Sequence, residues 1–176
     1  MRNGNAVQMI QRSDLPGPAI FLKQGEYYIS GAGPALVRTV LGSCVTVTMH
    51  CPVQKIGGMT HSLLPYPLPG TVAPRGQHGR FVDASVRYVF DRMMSLGISK
   101  DTLEVKVFGG GQLLTSLSGR SSDMEITIGR RNVETALNVI RELGLSVTAT
   151  DVGGNLGRTL IFYPYLGDVW VKKIVR

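Results

Sequence analysis

The segment CVTVTMH at positions 44–50 and the segment IGGMTHSLL at positions 56–64 decide the fold of this chain. The first alternates valine with threonine, which is the period-two pattern of a β-strand. The second is largely apolar, and its Gly57-Gly58 pair allows a bulge or close packing in a further strand. Turn residues at Pro52–Lys55 join the two segments. We therefore predict a hairpin-like unit of two adjacent strands.

The regions outside this unit supply two helices and more strands. Apolar side chains recur every three or four residues in 83–96 and in 132–143, which predicts helices with Asp83 and Asn132 as their N-caps. The last two predicted strands should pair as a closing hairpin. Strands are predicted at 26–30, 35–41, 103–108, 125–128, 145–150, 159–163 and 168–174.

This pattern indicates one domain of the α/β or α+β class, with a largely antiparallel β core flanked by helices. We expect a flexible leader over residues 1–24 and a domain over residues 25–176. The stretch 65–80 is rich in proline and glycine, so it is predicted to be a loop that serves either as a lid or as a plain connection.

The bulk composition narrows the possible function classes. No apolar run approaches ~18 residues and positions 1–13 lack an apolar signal core, so we expect a cytoplasmic protein without membrane insertion. Its two cysteines should then be free thiols. The net charge of +7 favours acidic partners, but it is spread along the chain and does not predict a nucleic-acid site.

Cys44 is the first candidate for chemistry. It follows Gly42-Ser43 at the start of a predicted strand, where two small residues leave room for a substrate to reach the sulfur. Backbone N–H groups near Gly42 and Ser43 could stabilise an oxyanion during acyl transfer. The thiolate is the reactive form, so this use of Cys44 requires a base. The alternative is a buried structural cysteine.

His61 is the candidate base. In the hairpin-like unit the end of the second strand lies beside the start of the first, so His61 and Cys44 are expected to be cross-strand neighbours (roughly 5 Å between Cβ atoms when directly opposite). A Cys–His pair usually needs a third group to orient the imidazole, and Thr39, Thr60 and Ser62 are all available. The alternative is a hydrogen-bonded core histidine.

Other polar and glycine-rich patterns are less specific. His50 and Cys51 could join Cys44 and His61 around a metal ion, but the spacing matches no zinc motif, and we predict no metal site. Glycines at 109–111 and 152–158 lack the P-loop and dinucleotide-binding patterns, which favours tight turns and close backbone contacts. Arg158 beside Asn155 could still bind a carboxylate or a carboxamide.

An ordered set of motifs resembles the CheD family over residues 25–174. The motifs are LGSCV at 41–45, IGGMTHSLLP at 56–65, RFVD at 80–83, VFGGG at 107–111, IGRRN at 128–132 and DVGGNLGR at 151–158. The resemblance implies a domain similar to glutamine-deamidating bacterial toxins, which hydrolyses selected glutamines of chemoreceptors to glutamate without a cofactor. It further implies that some members act on receptor methyl esters and that some bind a CheC-type phosphatase.

The same resemblance implies roles for individual residues. Cys44 corresponds to the nucleophile and His61 to the base. The family's third residue is a threonine shortly before the cysteine, which Thr39 matches here. The expected partners are the cytoplasmic helices of chemoreceptors. The alternative is a binding module that regulates a CheC-type phosphatase with little turnover.

Overall fold

The predicted hairpin-like unit lies at the centre of a five-stranded sheet. A computed structural model describes residues 15–31, 33–67, 76–112 and 122–175, with the side chains of its second helix described from residue 128. These residues form nine strands and two α-helices. The strands are β1 Ala19–Phe21, β2 Tyr27–Ile29, β3 Leu36–Leu41, β4 Val45–Cys51, β5 Ile56–Thr60, β6 Glu104–Gly109, β7 Val147–Val152, β8 Arg158–Tyr163 and β9 Asp168–Lys173, and the helices are α1 Val82–Ser95 and α2 Ser122–Glu142.

The nine strands form two sheets. The larger has the order β2-β5-β4-β6-β7 and the smaller has the order β1-β3-β8-β9. Only the pairs β1–β3 and β6–β7 are parallel among the described strands. The prediction of one α+β domain with a largely antiparallel core is therefore confirmed, and so is the closing hairpin, which β8 and β9 form.

Successive side chains along Cys44 and β4 point to opposite faces of the five-stranded sheet, and each face packs against a different hydrophobic cluster. Val45, Val47, Met49 and Cys51 pack with α1 and α2 in one cluster. Cys44, just before β4, belongs to a second cluster with residues of β3 and β8. The five-stranded sheet is thus covered by helices on one face and by the four-stranded sheet on the other.

The second helix departs from the sequence expectation. The predicted strand at 125–128 is wrong, because these residues lie within α2, which begins at Ser122. Gly129 lies within this helix and serves a close approach: a Cβ there would lie 2.9 Å from the Gly110 carbonyl oxygen. Asn132 is consequently not an N-cap but a residue in the middle of the helix.

The first helix was predicted more closely. It begins at Val82, and its N-cap is Phe81 rather than Asp83, without a side-chain cap hydrogen bond. Of the predicted loop 65–80, positions 68–75 lie outside the described residues, and His78–Arg80 form one turn of 3-10 helix.

The predicted leader contains one element. Positions 1–14 lie outside the described residues, but Ala19–Phe21 form β1, which pairs in parallel with β3. None of the described helices has the length and apolar character needed to cross a membrane.

Candidate active site

Cys44 lies in the short connection between β3 and β4, which belong to different sheets. Its side chain is 6% exposed and faces the layer between the two sheets. The thiol is free. The connection is short because β3 ends at Leu41 and β4 begins at Val45, so the cysteine is held by a strand on each side.

His61 lies on the same face of the five-stranded sheet as Cys44. The register pairs Thr48 with Met59, and an isolated bridge pairs Val45 with Ser62, so that His61 stands opposite Thr46. Cys44 and Thr46 are two residues apart and point to the same side. His61 is therefore the diagonal neighbour of Cys44 rather than the directly opposite one, at a separation of roughly 7–8 Å between Cα atoms.

Thr39 holds the imidazole of His61 from the other sheet. The Thr39 hydroxyl donates to the Leu22 carbonyl at 2.8 Å, and its oxygen lies 2.7 Å from His61 Nδ1. Since the single hydroxyl hydrogen points to Leu22, Nδ1 must carry the hydrogen that it shares with Thr39. The other nitrogen, Nε2, then has a free lone pair, and it is buried without a hydrogen-bond partner among the described residues.

The two other threonine and serine candidates are engaged elsewhere. The Thr60 hydroxyl accepts the Val47 N–H at 3.0 Å. The Ser62 hydroxyl lies 2.6 Å from that of Ser85 in α1, on the helix side of the sheet. Of the three residues that the sequence left open, only Thr39 contacts the His61 ring among the described residues.

Burial favours a neutral thiol and a neutral imidazole. It raises the pKa of Cys44 to about 11, although the cysteine's own backbone N–H opposes this shift. It lowers the pKa of His61, against the opposing effects of the Leu22 carbonyl and of Glu26. Both shifts favour a thiol and an unprotonated imidazole over a thiolate–imidazolium pair.

The backbone carbonyl groups of Gly42, Ser43 and Cys44 all accept hydrogen bonds from other segments of the chain. The Gly42 carbonyl accepts from Gly111 N–H at 2.7 Å, and the Cys44 carbonyl accepts from Gly110 N–H at 2.8 Å. The Ser43 carbonyl accepts from Asn132 Nδ2 at 3.0 Å. By contrast, the N–H groups of Ser43 and Cys44 donate to no other described residue. They are available to stabilise an oxyanion.

The glycine triplet at 109–111 is explained by this close packing. Gly109 has a φ of 105° and Gly110 a φ of 64°, both in the left-handed region that favours glycine. A Cβ at Gly111 would lie 3.2 Å from the Gly42 carbonyl oxygen. The triplet therefore lets one backbone segment approach the Cys44 connection and α2 together.

Arg158 and Asn155 lie in or beside the last glycine-rich loop. Arg158 is 1% exposed, and its Nη1 donates to Asp151 Oδ1 at 2.6 Å, with further hydrogen bonds to the Asp151 and Gly153 carbonyls. Asn155 is exposed. The contacts of Arg158 close this loop onto β8, and a role of either residue in substrate binding stays a prediction.

Asn132 is the site residue that sequence reasoning missed. Its side chain is fully buried, and Nδ2 donates to the Ser43 carbonyl and, at 2.8 Å, to the Leu63 carbonyl. The signal was present, because an asparagine inside an apolar helix is unfavourable unless its amide has a partner. Its place at the start of the regular apolar pattern predicts an N-cap instead.

The four His and Cys residues considered for a metal ion do not all lie on one face of the sheet. His50 lies on the Cys44 side of β4, whereas Cys51 belongs to the core under the helices. Within the part of the chain that the structure describes, no group of three or more His, Cys, Asp or Glu residues is placed to hold a metal ion.

Comparison with known proteins adds family information to this geometry. Residues 63–173 match the family model described as "CheD chemotactic sensory transduction". A protein of Maridesulfovibrio salexigens, named "Probable chemoreceptor glutamine deamidase CheD", is 41% identical over 157 residues, which cover 88% of this chain and 91% of the relative.

Two further relatives have the same type of name. "Probable chemoreceptor glutamine deamidase CheD 2" of Geobacter sulfurreducens is 39% identical, with 90% of this chain and 92% of the relative covered. "Probable chemoreceptor glutamine deamidase CheD" of Pyrococcus abyssi is 37% identical, with 86% of this chain and 89% of the relative covered.

Proposed function

This chain belongs to the CheD family, and from that premise we propose that it is a chemoreceptor glutamine deamidase with Cys44 as nucleophile and His61 as base. The names of its relatives support the activity. The observation that carries the residue roles is the 2.7 Å contact between Thr39 and His61 Nδ1, which leaves Nε2 unpartnered on the face that Cys44 shares.

The first half of the reaction forms a thioester. His61 Nε2 takes the thiol proton as the Cys44 sulfur attacks the carboxamide carbon of the substrate glutamine. The oxyanion of the tetrahedral intermediate accepts hydrogen bonds from the N–H groups of Ser43 and Cys44, with Gly42 leaving space beside them. Nε2 then returns its proton to the departing nitrogen, the C–N bond breaks, and ammonia leaves.

The second half releases the product. His61 Nε2 takes a proton from water, whose oxygen attacks the thioester carbon. The C–S bond breaks, the sulfur regains the proton, and the receptor carries glutamate in place of glutamine. Every step uses groups of the chain, the glutamine and one water molecule.

Thr39 supports both halves by fixing the imidazole. When Nε2 is protonated, Nδ1–H still donates to Thr39 Oγ1, and the Leu22 carbonyl oxygen lies 3.3 Å from Nδ1. Two oxygen atoms beside one ring nitrogen stabilise the imidazolium that forms during attack. The thiol would attack a glutamate methyl ester in the same way, with methanol as the leaving group.

Mass spectrometry of a chemoreceptor cytoplasmic fragment tests the proposal. Incubation with the wild-type protein should add about one mass unit at specific glutamines through the acyl-enzyme route, and Cys44→Ala should add none. Cys51→Ala is the matched control, because it removes the buried thiol at the end of β4 and should retain activity.

Two outcomes would contradict the proposal in different ways. Deamidation by Cys44→Ala would show that another group is the nucleophile. Unchanged masses with the wild-type protein on several receptors would overturn the deamidase. A CheD-like module that binds a CheC-type phosphatase in the cytoplasm would then be the better proposal, and co-purification with such a phosphatase would test it.

A further inference from the structure

Asn132 joins the nucleophile segment to the strand that carries the base. It lies in the middle of α2 and is fully buried. Both hydrogens of its Nδ2 are used, one on the Ser43 carbonyl at 3.0 Å and one on the Leu63 carbonyl at 2.8 Å. Because both partners are acceptors only, the orientation of the amide is determined.

The bond to Ser43 also fixes the direction of a catalytic N–H. The Ser43 carbonyl and the Cys44 N–H belong to one planar trans peptide group, in which they point in opposite directions. A donor that holds the carbonyl from the helix side therefore turns the Cys44 N–H away from the helix. Gly111 acts on the preceding peptide in the same way, through its 2.7 Å bond to the Gly42 carbonyl.

The hydrogen bond from Asn132 to the Leu63 carbonyl holds the chain just after His61. Leu63 follows His61 by two residues, and its carbonyl lies beyond both the end of β5 at Thr60 and the isolated bridge at Ser62. One amide group thus sets the nucleophile segment and the end of the His61 strand at a constant spacing. The oxygen of the same amide, Oδ1, has no hydrogen-bond partner among the described residues. Among the described residues, the buried Asn132 amide therefore acts only as a hydrogen-bond donor.

We propose that Asn132 is a positioning residue of the deamidation reaction, which aims the Cys44 N–H at the oxyanion, while its second hydrogen bond anchors the amide on the Leu63 carbonyl. The inference rests on the proposed function. The N–H groups of Ser43 and Cys44 then bind the oxyanion that forms from the substrate glutamine. The orientation of this donor pair depends on one side chain of α2, that of Asn132.

The test compares two reactions of the same thiol in a Cys51→Ala background. Deamidation passes through an oxyanion, whereas alkylation by iodoacetamide displaces iodide at a saturated carbon and forms none. Asn132→Leu, which is neutral and of similar size, should lower kcat for a receptor fragment roughly 10²-fold with little change in KM. The alkylation rate of Cys44 should stay within about twofold.

Asn138→Leu is the matched control, because Asn138 is an exposed asparagine of the same helix. It should leave both rates unchanged. Circular dichroism at the assay temperature gives the folded fraction by which each kcat is divided. If Asn132→Leu does not fold, Asn132→Ser retains one donor and should show a smaller fall in kcat, again with alkylation preserved.

The outcomes distinguish a failure of the Asn132 inference from a failure of the proposed deamidase activity. An unchanged kcat in a folded Asn132 variant, or an equal fall of deamidation and alkylation, would overturn the positioning role while the deamidase stands. An inactive wild-type protein would overturn the proposed function itself. Loss of deamidation with normal alkylation supports the inference.

Discussion

One buried cysteine lies just before β4 and a second lies at the end of β4, and the two side chains face different surroundings. Cys44 is 6% exposed and Cys51 is 2% exposed, and both are free thiols. Cys44 faces the layer between the sheets, where His61 and Thr39 meet. Cys51 faces the helices, where its sulfur lies 3.5 Å from the Thr102 hydroxyl. The face of the sheet, rather than exposure, distinguishes the two residues.

The largest expected effect comes from removing His61, the proposed base, which lies on the Cys44 face of the sheet. His61→Gln should lower kcat/KM for deamidation by about 10²–10⁴-fold, because the thiol proton then has no acceptor. His50→Gln is the control: His50 is 4% exposed and packs against Gly167, away from the Thr39 contact. Kinetics on a receptor fragment would contradict the comparison if both variants were equally impaired.

The pH dependence of stability should reveal the burial of the Cys44 thiol. A folded-state pKa of about 11 for Cys44, against 9.0 without burial, means that the unfolded chain loses the proton first as pH rises. Stability should therefore fall between pH 9 and pH 11. The fall should be about 2–3 kcal/mol larger in the wild type than in Cys44→Ala.

Urea unfolding across this range measures that difference. At the acid side, the lowered pKa of His61 means that the unfolded chain binds the proton first, so stability should decline as pH falls below 6.5. A His61→Gln variant that lost stability with the same acid slope would contradict the assignment.

Removing the orienting hydroxyl should have an intermediate effect. Thr39→Val keeps the shape but leaves His61 Nδ1–H without its 2.7 Å partner, and we expect deamidation to slow about tenfold. Thr46→Val is the control on the same face of the sheet. The Thr46 hydroxyl is buried without a partner among the described residues, so its loss should cost neither activity nor stability.

The smallest effect is expected at the far end of β4. Cys51→Ala should lower the free energy of unfolding by about 1 kcal/mol, because it removes a packed sulfur from the core under the helices. Thermal unfolding and receptor-fragment kinetics would show this. A fall in activity beyond about tenfold would break the comparison, since it would place Cys51 in the reaction.

The hairpin and the opposite faces of the two cysteines could be predicted from local sequence. The Val-Thr alternation of β4 determines which residues share a face, and an odd spacing separates Cys44 from Cys51. The diagonal position of His61 could not be predicted, because register depends on how β4 and β5 pair over their whole length.

Interactions between the sheets were beyond the reach of sequence patterns. Thr39, Thr60 and Ser62 are equivalent as hydroxyl donors, and only the packing of β3 against β5 brings Thr39 to the imidazole. Leu22 contributes a backbone carbonyl, a group that every residue carries, so no sequence signal marks it. Asn132 was misplaced because the apolar pattern of α2 begins to be regular only after Gly129.

The order of the four-stranded sheet has a consequence for protein synthesis. Thr39 lies in β3, whose neighbours are the three-residue β1 and the strand β8 at Arg158–Tyr163. A ribosome exposes Cys44 and His61 long before it has made β8, so a nascent chain carries the thiol while the sheet that orients its base is incomplete. The contact between Thr39 and His61 therefore lies within a complete four-stranded sheet only after β8 and β9 have been made.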